Sequence, residues 1–177
     1  MSNARIATPR REPKIALNLL RTVVLLASSS CVNAPHKTLE AGHLMQHKVT
    51  TFLMFEGTAE EAMSFYMSLF DDSQIVAMEK YGANDAGPEG TVRQARFELA
   101  GREFMCIDSP AKHDFTFTPS MSLYIECESE SEIDQRFASL SEGGEVFMPL
   151  GDYGFSRKFG WVSDRYGVSW QLTLPNE

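Results

Sequence analysis

The sequence is poor in cysteine, in long apolar runs and, over most of its length, in positive charge. Its three cysteines, Cys31, Cys106 and Cys127, are an odd and widely spaced set, and no CxxC motif occurs. This pattern disfavours a disulfide framework and predicts a protein of the reducing cytoplasm. No apolar stretch is long enough to cross a membrane.

The charge is divided unevenly along the chain. Residues 1–44 carry a net charge of +4 and residues 45–177 a net charge of −12. Because an acidic domain repels a phosphate backbone, nucleic acid is not an expected partner. The hydrophobic fraction of 43% and the twelve Phe instead predict a packed globular domain.

The first 44 residues differ in character from the rest. A basic start and an apolar run over residues 15–27 resemble a signal peptide. Arg21 interrupts that run, and Pro35 directly follows the small-residue motif that could serve for cleavage. We therefore expect residues 1–44 to be a disordered or non-native extension, with export of the protein as the alternative. The domain is predicted to span residues 45–177.

The first part of this domain reads as strand, helix and three strands. A β-branched and aromatic strand comes first, and Thr58-Ala59-Glu60-Glu61 then forms a capping box that predicts a helix start. Ala100-Gly101 is typical of a tight hairpin turn. The predicted strands of this part cover residues 49–55, 74–81, 91–99 and 102–107.

The same order returns further along the chain. A second capping box, Ser129-Glu130-Ser131-Glu132, precedes a helix that Gly143-Gly144 is expected to end. The predicted strands of this part cover residues 121–127, 145–148, 157–163 and 168–174.

A constant offset relates the two parts. Thr58 corresponds to Ser129 and Thr51 to Ser122, each pair 71 residues apart. Such a twofold repeat indicates a duplicated fold. We predict an α+β domain of two tandem β-α-β-β-β modules, module one over residues 46–109 and module two over residues 120–174. Their mixed sheets are expected to form a cup.

Two separated motifs carry a family likeness. The segments are Phe52-Leu53-Met54-Phe55-Glu56-Gly57 with the following Phe65-Tyr66, and Gly160-Trp161-Val162 with the following 164–171. They resemble the vicinal-oxygen-chelate superfamily in its PhnB-like branch, whose members often bear the name 3-demethylubiquinone-9 3-methyltransferase. The resemblance implies a cup-shaped cavity for a small molecule and, usually, a homodimer. The superfamily also holds glyoxalase I, extradiol dioxygenases, fosfomycin-resistance transferases and bleomycin-sequestering proteins, so the fold does not fix the function.

Metal-dependent members of that superfamily place His, Gln or Glu at three or four positions of the cavity. The resemblance puts Thr51, Ser122 and Gln171 at such positions here. Two hydroxyls and one amide are weak ligands for a catalytic divalent ion. We therefore expect no metal site and no cofactor.

The methyltransferase name has little support among the residues. A site for a methyl donor such as S-adenosylmethionine needs a Gly-rich turn after a parallel strand, and no GxGxxG occurs. Gly143-Gly144 follows a helix instead. Methyl transfer stays an alternative that the family name suggests.

Side chains on a strand alternate between its two faces. If Thr51, Ser122 and Gln171 face the cup, then Leu53, Tyr124 and Ser169 face it too, and Trp170 points to the helix side.

A third strand and a late loop offer further candidates. Gln94, Arg96 and Glu98 form the polar set of their strand, and an interior Arg96 would anchor an anion or carboxylate through its guanidinium; a solvated face is the alternative. Phe155 and Trp161 are candidates for stacking on a planar ligand, with core packing as the alternative.

Three functional hypotheses follow. The first is a metal-free binder of a small molecule. The second is a metal-free enzyme that uses Arg96, Glu98 or Tyr124 for acid–base chemistry. The third is a metal-dependent enzyme of the glyoxalase, dioxygenase or resistance-transferase type.

Overall fold

A computed structural model describes residues 48–176, and the predictions made for residues 1–44 lie outside this part of the chain. All described residues belong to one compact unit. The elements of its first half are β1 (Thr51–Phe55), α1 (Ala59–Ser68), β2 (Ser73–Lys80), β3 (Val92–Leu99) and β4 (Arg102–Asp108). Those of its second half are β5 (Leu123–Glu126), α2 (Glu130–Ser141), β6 (Glu145–Gly151), β7 (Lys158–Ser163) and β8 (Ser169–Leu174).

The strands form two four-stranded sheets with the same topology. Sheet one has the order β1-β4-β3-β2 and sheet two the order β5-β8-β7-β6. In each sheet the first and last strands of the module pair in parallel, and the other pairs are antiparallel. Two tandem β-α-β-β-β modules, as predicted, therefore make up the described part of the chain.

The tight turn predicted between β3 and β4 is present. Ala100 and Gly101 both have positive φ, 47° and 70°. This pair of left-handed residues gives the turn a twist that matches that of the flanking strands. It sets the β3–β4 register, in which Leu99 lies opposite Arg102.

The two helices begin differently, although the sequence predicted a capping box for each. In module two the hydroxyl of Ser129 accepts from the N–H of Glu132 at 3.2 Å, as predicted. In module one Thr58 makes no side-chain cap. The carboxylate of Asp108, at the end of β4, accepts instead from the N–H groups of Gly57 and Ala59 at 2.7 and 2.9 Å. The predicted capping role of Thr58 was wrong because a carboxylate from a distant strand occupies the helix start.

Each helix covers one face of its own sheet. In module two Phe137 lies so close to Gly160 that a Cβ added there would be 2.5 Å from its ring. The helix side of sheet two also holds Trp170, whose Nε1 donates to Asp164 Oδ2 at 2.8 Å. Trp170 was predicted to point to the helix side, and it does.

The offset of 71 residues does not hold for the faces of the first strands. Leu53 and Phe55 are buried, each 4% exposed, whereas Tyr124, which lies 71 residues after Leu53, is 55% exposed. In module two the ladder extends one residue further, because the N–H of Cys127 still donates to Thr173 at 2.8 Å. In module one the chain turns away earlier, at Gly57 with φ of 100°. The strands are thus related by 72 residues and the helix starts by 71.

The modules contact each other through their helix sides. The ring of Tyr66 on α1 lies 5.1 Å from that of Trp170 in sheet two. Arg136 on α2 donates to the carbonyl of Leu69 at 3.1 Å and lies over the ring of Phe70. The opposite faces of the two sheets, which we call the cup faces, are left uncovered by these contacts. Within residues 48–176, no helix is long and apolar enough to span a membrane.

Candidate functional site

The cup face of module two brings together five of the predicted site residues. Tyr124 on β5 and Trp161 on β7 both pair with Gln171 on β8. Paired residues of neighbouring strands share a face. Ser122 and Ser169 precede Tyr124 and Gln171 by two positions, so they lie on this face as well.

These side chains form one hydrogen-bond chain. Trp161 Nε1 donates to Ser169 Oγ at 2.9 Å, and the Ser169 and Ser122 hydroxyls share a hydrogen bond of 2.7 Å. Gln171 Nε2 donates to Ser122 Oγ at 3.1 Å. These hydrogen bonds fix the Trp161 ring and the Gln171 amide, because each is held at its polar end by a neighbouring side chain.

Tyr124 stands at the open side of this face. Partial burial raises the pKa of its phenol, against a hydrogen bond from Thr173 that lowers it. The phenol is therefore neutral at physiological pH and available as a donor. It is poorly suited to act as a general base there.

The aromatic candidates occupy two separate groups. Trp161 packs against Phe147 with ring centroids 5.1 Å apart. Phe155, in the β6–β7 loop, lies 5.1 Å from Phe159 and 6.2 Å from Tyr153. Phe155 thus has partners within its own loop and strand, whereas Trp161 belongs to the hydrogen-bonded chain.

Gln94, Arg96 and Glu98 lie together on the cup face of module one, all on β3 and opposite α1. Arg96 Nη1 lies 3.4 Å from Glu103 Oε1. Glu98 Oε2 accepts from Gln74 Nε2 at 2.6 Å. Gln94 and Arg96 are exposed and Glu98 is half-buried, and the guanidinium proposed as an anion anchor already has a carboxylate partner.

Glu103 is a site residue that the sequence analysis missed. Lys48 lies 2.8 Å from Glu103 Oε2. The hydrogen bond from Lys48, together with the charges of Lys48 and Arg96, lowers the pKa of Glu103. The alternation of side chains along β4 puts Glu103 and the buried Phe104 on different faces of the sheet. The pairing of β4 with β3 then brings Glu103 next to Arg96.

Thr51 and Leu53 do not face the cup. They share the helix side with Phe55, and Leu53 is a core residue. The prediction was wrong because it treated Thr51 and Ser122 as equivalent positions, whereas the faces of β1 and β5 are related by 72 residues and not by 71. Thr51 instead lines a cleft of about 530 Å³ between the modules, together with Ser122 and Tyr124. Phe52 and Met54 take the cup side of β1.

Comparison with known proteins identifies the family. A family model described as 3-demethylubiquinone-9 3-methyltransferase matches residues 47–173. The chain belongs to this family. The name is shared by the PhnB-like branch of the vicinal-oxygen-chelate superfamily, and the similar solved structures include a PhnB protein and FosX of that superfamily.

The PhnB protein from Bacillus cereus is 63% identical, with 72% of this chain and 99% of that chain covered and a TM-score of 0.71. Protein PA1353 from Pseudomonas aeruginosa is 27% identical, with 74% and 99% covered and a TM-score of 0.65.

A third structure is more distant. The fosfomycin resistance protein FosX from Listeria monocytogenes, in complex with Mn(II) and a dihydroxypropylphosphonic acid, is 9% identical. The match covers 75% of this chain and 95% of that one, with a TM-score of 0.52. At this identity the likeness concerns the fold alone.

The residues of this PhnB-like chain do not fit a superfamily metal site. Ser122 and Gln171 bond to each other, and Thr51 lies on the other side of its sheet. Among residues 48–176, no group of three or more His, Cys, Asp and Glu is placed to hold a metal ion. Hydroxyl and amide oxygens already engaged with one another are weak donors for a divalent transition metal.

The start of α1 does not fit a methyl donor either. The turn between β1 and α1 does follow a parallel strand, and it contains Gly57. However, the N–H groups of Gly57 and Ala59 already donate to one oxygen of the Asp108 carboxylate, whose other oxygen accepts from the Val92 N–H at 2.9 Å. A second anion at this helix start would meet a buried carboxylate, so the usual place for a cofactor phosphate or carboxylate is closed.

Proposed function

We propose that the protein binds a small molecule on its cup faces without a catalytic metal. The observation that supports this most is the hydrogen-bonded chain Trp161–Ser169–Ser122–Gln171. Two of its members, Ser122 and Gln171, stand where the resemblance places ligands of metal-dependent superfamily members, and the group holds an aromatic ring and an amide in fixed orientation. Preorganised groups of this kind are what a specific binding site requires.

The arrangement favours a planar ligand with a hydrogen-bond donor. The Trp161 ring offers a stacking surface. Gln171 uses its nitrogen on Ser122, so its carbonyl oxygen can accept from a ligand. Tyr124 adds a neutral phenol as a donor at the open side.

Acid–base catalysis has less support. Arg96 is paired with Glu103, and Glu98 is engaged by Gln74. Burial raises the pKa of the Tyr124 phenol and the negative charge of the nearby Glu126 adds to this effect, so this group stays neutral. These contacts favour binding over metal-free catalysis, and no contact favours methyl transfer.

Ligand-observed NMR with a library of planar heteroaromatic fragments tests the proposal. Hits should bind in the presence of EDTA, and both Trp161→Leu and Gln171→Ala should weaken them about tenfold, since each removes a fixed contact. Gln135→Ala, on the exposed side of α2, is a matched control that should leave binding unchanged. Hits that need a divalent metal, or that ignore both site variants, would contradict the proposal.

A homodimer completes this proposal. Every residue of β2 after its first is exposed, including Ile75 and Val76 at 44% and 49%. Large apolar side chains on open sheet faces are typical of surfaces that a second copy covers.

Light scattering tests the association. We expect a mass of about twice 19.8 kDa, with a total buried area on the order of 2,000 Å². Val76→Glu should shift the mass toward the monomer, whereas Val49→Glu, at a residue already 98% exposed, should not. A monomeric mass at all concentrations would contradict the homodimer.

A further inference from the structure

A second cleft lies where β1 and β4 end. These strands are parallel neighbours, so the residues that follow their carboxyl ends lie close together at the same end of sheet one. Glu56 follows β1, and Ser109 follows β4 and donates its N–H to the carbonyl of Phe55 at 2.7 Å. The cleft beside them has a volume of about 430 Å³.

Its walls are aromatic. Phe52 and Phe115 line it and are 51% and 65% exposed. His113 packs against Phe115 with ring centroids 4.8 Å apart. Phe117, which also lines the cleft, packs on Phe55 at 5.2 Å. Aromatic faces that remain open carry partial negative charge and attract cations.

Its polar groups include two that can accept from a ligand, Glu56 and Thr58. The Glu56 carboxylate accepts from the His113 N–H at 2.9 Å through one oxygen, and it forms no ion pair with any cation of residues 48–176. Thr58 also lines the cleft. Its hydroxyl makes no side-chain cap, because Asp108 caps α1.

The His113 ring is held in place. Its Nε2 shares a hydrogen bond of 2.7 Å with Ser109 Oγ, and that hydroxyl also accepts from the Ala111 N–H at 3.2 Å. The loop that carries the aromatic wall is thus tied to the end of β4 and to Glu56. The wall and the carboxylate keep a fixed spacing.

We propose that this cleft binds a protonated organic amine carried on an aromatic or apolar body. The ammonium group would lie between the Glu56 carboxylate and the open faces of Phe52 and Phe115. The Thr58 hydroxyl would accept a further N–H. The net charge of −12 on residues 45–177 attracts cations and disfavours carboxylate or phosphate ligands. The site stands apart from the Trp161–Gln171 chain and does not rest on the function proposed for it.

Three probes of one shape test this on the full chain: 2-phenylethylamine, 2-phenylethanol and phenylacetate. Calorimetry and saturation-transfer NMR at pH 7.5 should show the amine binding with a dissociation constant on the order of 1 mM, as suits a small fragment. The alcohol should bind about fivefold more weakly because it lacks the charge. Phenylacetate should not bind.

Variants locate the site. Glu56→Gln should weaken the amine about fivefold and abolish its advantage over the alcohol. Phe115→Ala should weaken both. Glu145→Gln, an equal loss of charge at an exposed residue of β6, should leave the affinity unchanged. Thermal unfolding checks that each variant is folded.

Other outcomes overturn the proposal. Equal binding of amine and alcohol, or no detectable amine binding at about 10 mM, means that Glu56 does not select a cation. Loss of amine binding in Trp161→Leu with retention in Glu56→Gln assigns the amine to the module-two cup face instead. Failure of the fragment screen on that face leaves this result untouched.

Discussion

At the scale of single residues, Asp108 links several backbone segments of module one through its carboxylate. It is 2% exposed and accepts from three backbone N–H groups, two at the start of α1 and one at the start of β3. One carboxylate therefore joins a helix, a turn and two strands. Its oxygens accept from backbone N–H dipoles at the positive end of α1.

Replacing Asp108 by Ala should lower the free energy of unfolding by about 3 kcal/mol or more, since buried N–H groups lose their acceptor. Thr58→Ala should cost less than about 0.5 kcal/mol, because its hydroxyl caps nothing. Ser129→Ala should cost about 1 kcal/mol, as a true N-cap does. Urea unfolding of the three variants measures this, and a cost for Thr58→Ala equal to that of Ser129→Ala would restore the symmetric capping that the sequence suggested.

The two buried thiols should be unreactive in the native protein. Burial raises the pKa of Cys106 to about 12 and that of Cys127 to about 11, from an ordinary value of 9.0. The neutral thiol is thus the form that the fold favours. Its contribution to stability is complete below pH 9 and is lost as the pH rises toward these raised values.

Iodoacetamide labelling at pH 8, in a Cys31→Ser background, provides the measurement. We expect no labelled Cys106 or Cys127 over hours in buffer and full labelling of both in urea, because the thiolate is the reactive form. Rapid labelling of either in buffer would show that its strand opens to solvent.

At the scale of elements, the packing of α2 on sheet two depends on a glycine at the contact. Gly160 on β7 lies beneath Phe137 of α2, with Leu150 also within 3 Å of an added Cβ. Backbone and ring approach closely there, and a side chain would push α2 away from sheet two.

Gly160→Ala should therefore lower the free energy of unfolding by about 1–3 kcal/mol through overpacking. Gly82→Ala is the matched control: its Cβ would meet only Asp85 Oδ2, at an ordinary 3.6 Å, so we expect a change within about 0.5 kcal/mol. Thermal and urea unfolding report both. Equal effects at the two glycines would mean that α2 adjusts freely.

At the scale of the whole molecule, the modules meet through their helix sides and leave both cup faces open. The contact of Tyr66 with Trp170, and that of Arg136 with Leu69 and Phe70, lie on the covered side. Each cup face retains exposed aromatic residues for a ligand or a second copy.

The first 44 residues should be dispensable for this fold. They differ from the rest in charge sign and precede the duplicated pattern. A chain that begins at Met45 should unfold within about 2 °C of the full chain, a shift that corresponds to well under 1 kcal/mol for a domain of this size. A larger loss of stability on truncation would indicate that the first residues pack on the domain.

The sequence by itself determined the order of elements, the duplication, the hairpin at Ala100-Gly101, the cap at Ser129 and the inward side of Trp170. All of these depend on neighbours within a few residues or on periodicity. The tertiary structure alone decided that Asp108 caps α1, that Leu53 is core and that Glu103 pairs with Arg96. The Asp108 contacts join residues 51 and 49 positions apart, and the pairing of Glu103 with Arg96 depends on side-chain positions across the β3–β4 hairpin. A one-residue difference in strand length, which no local pattern shows, reverses which side chains of β1 face the cup.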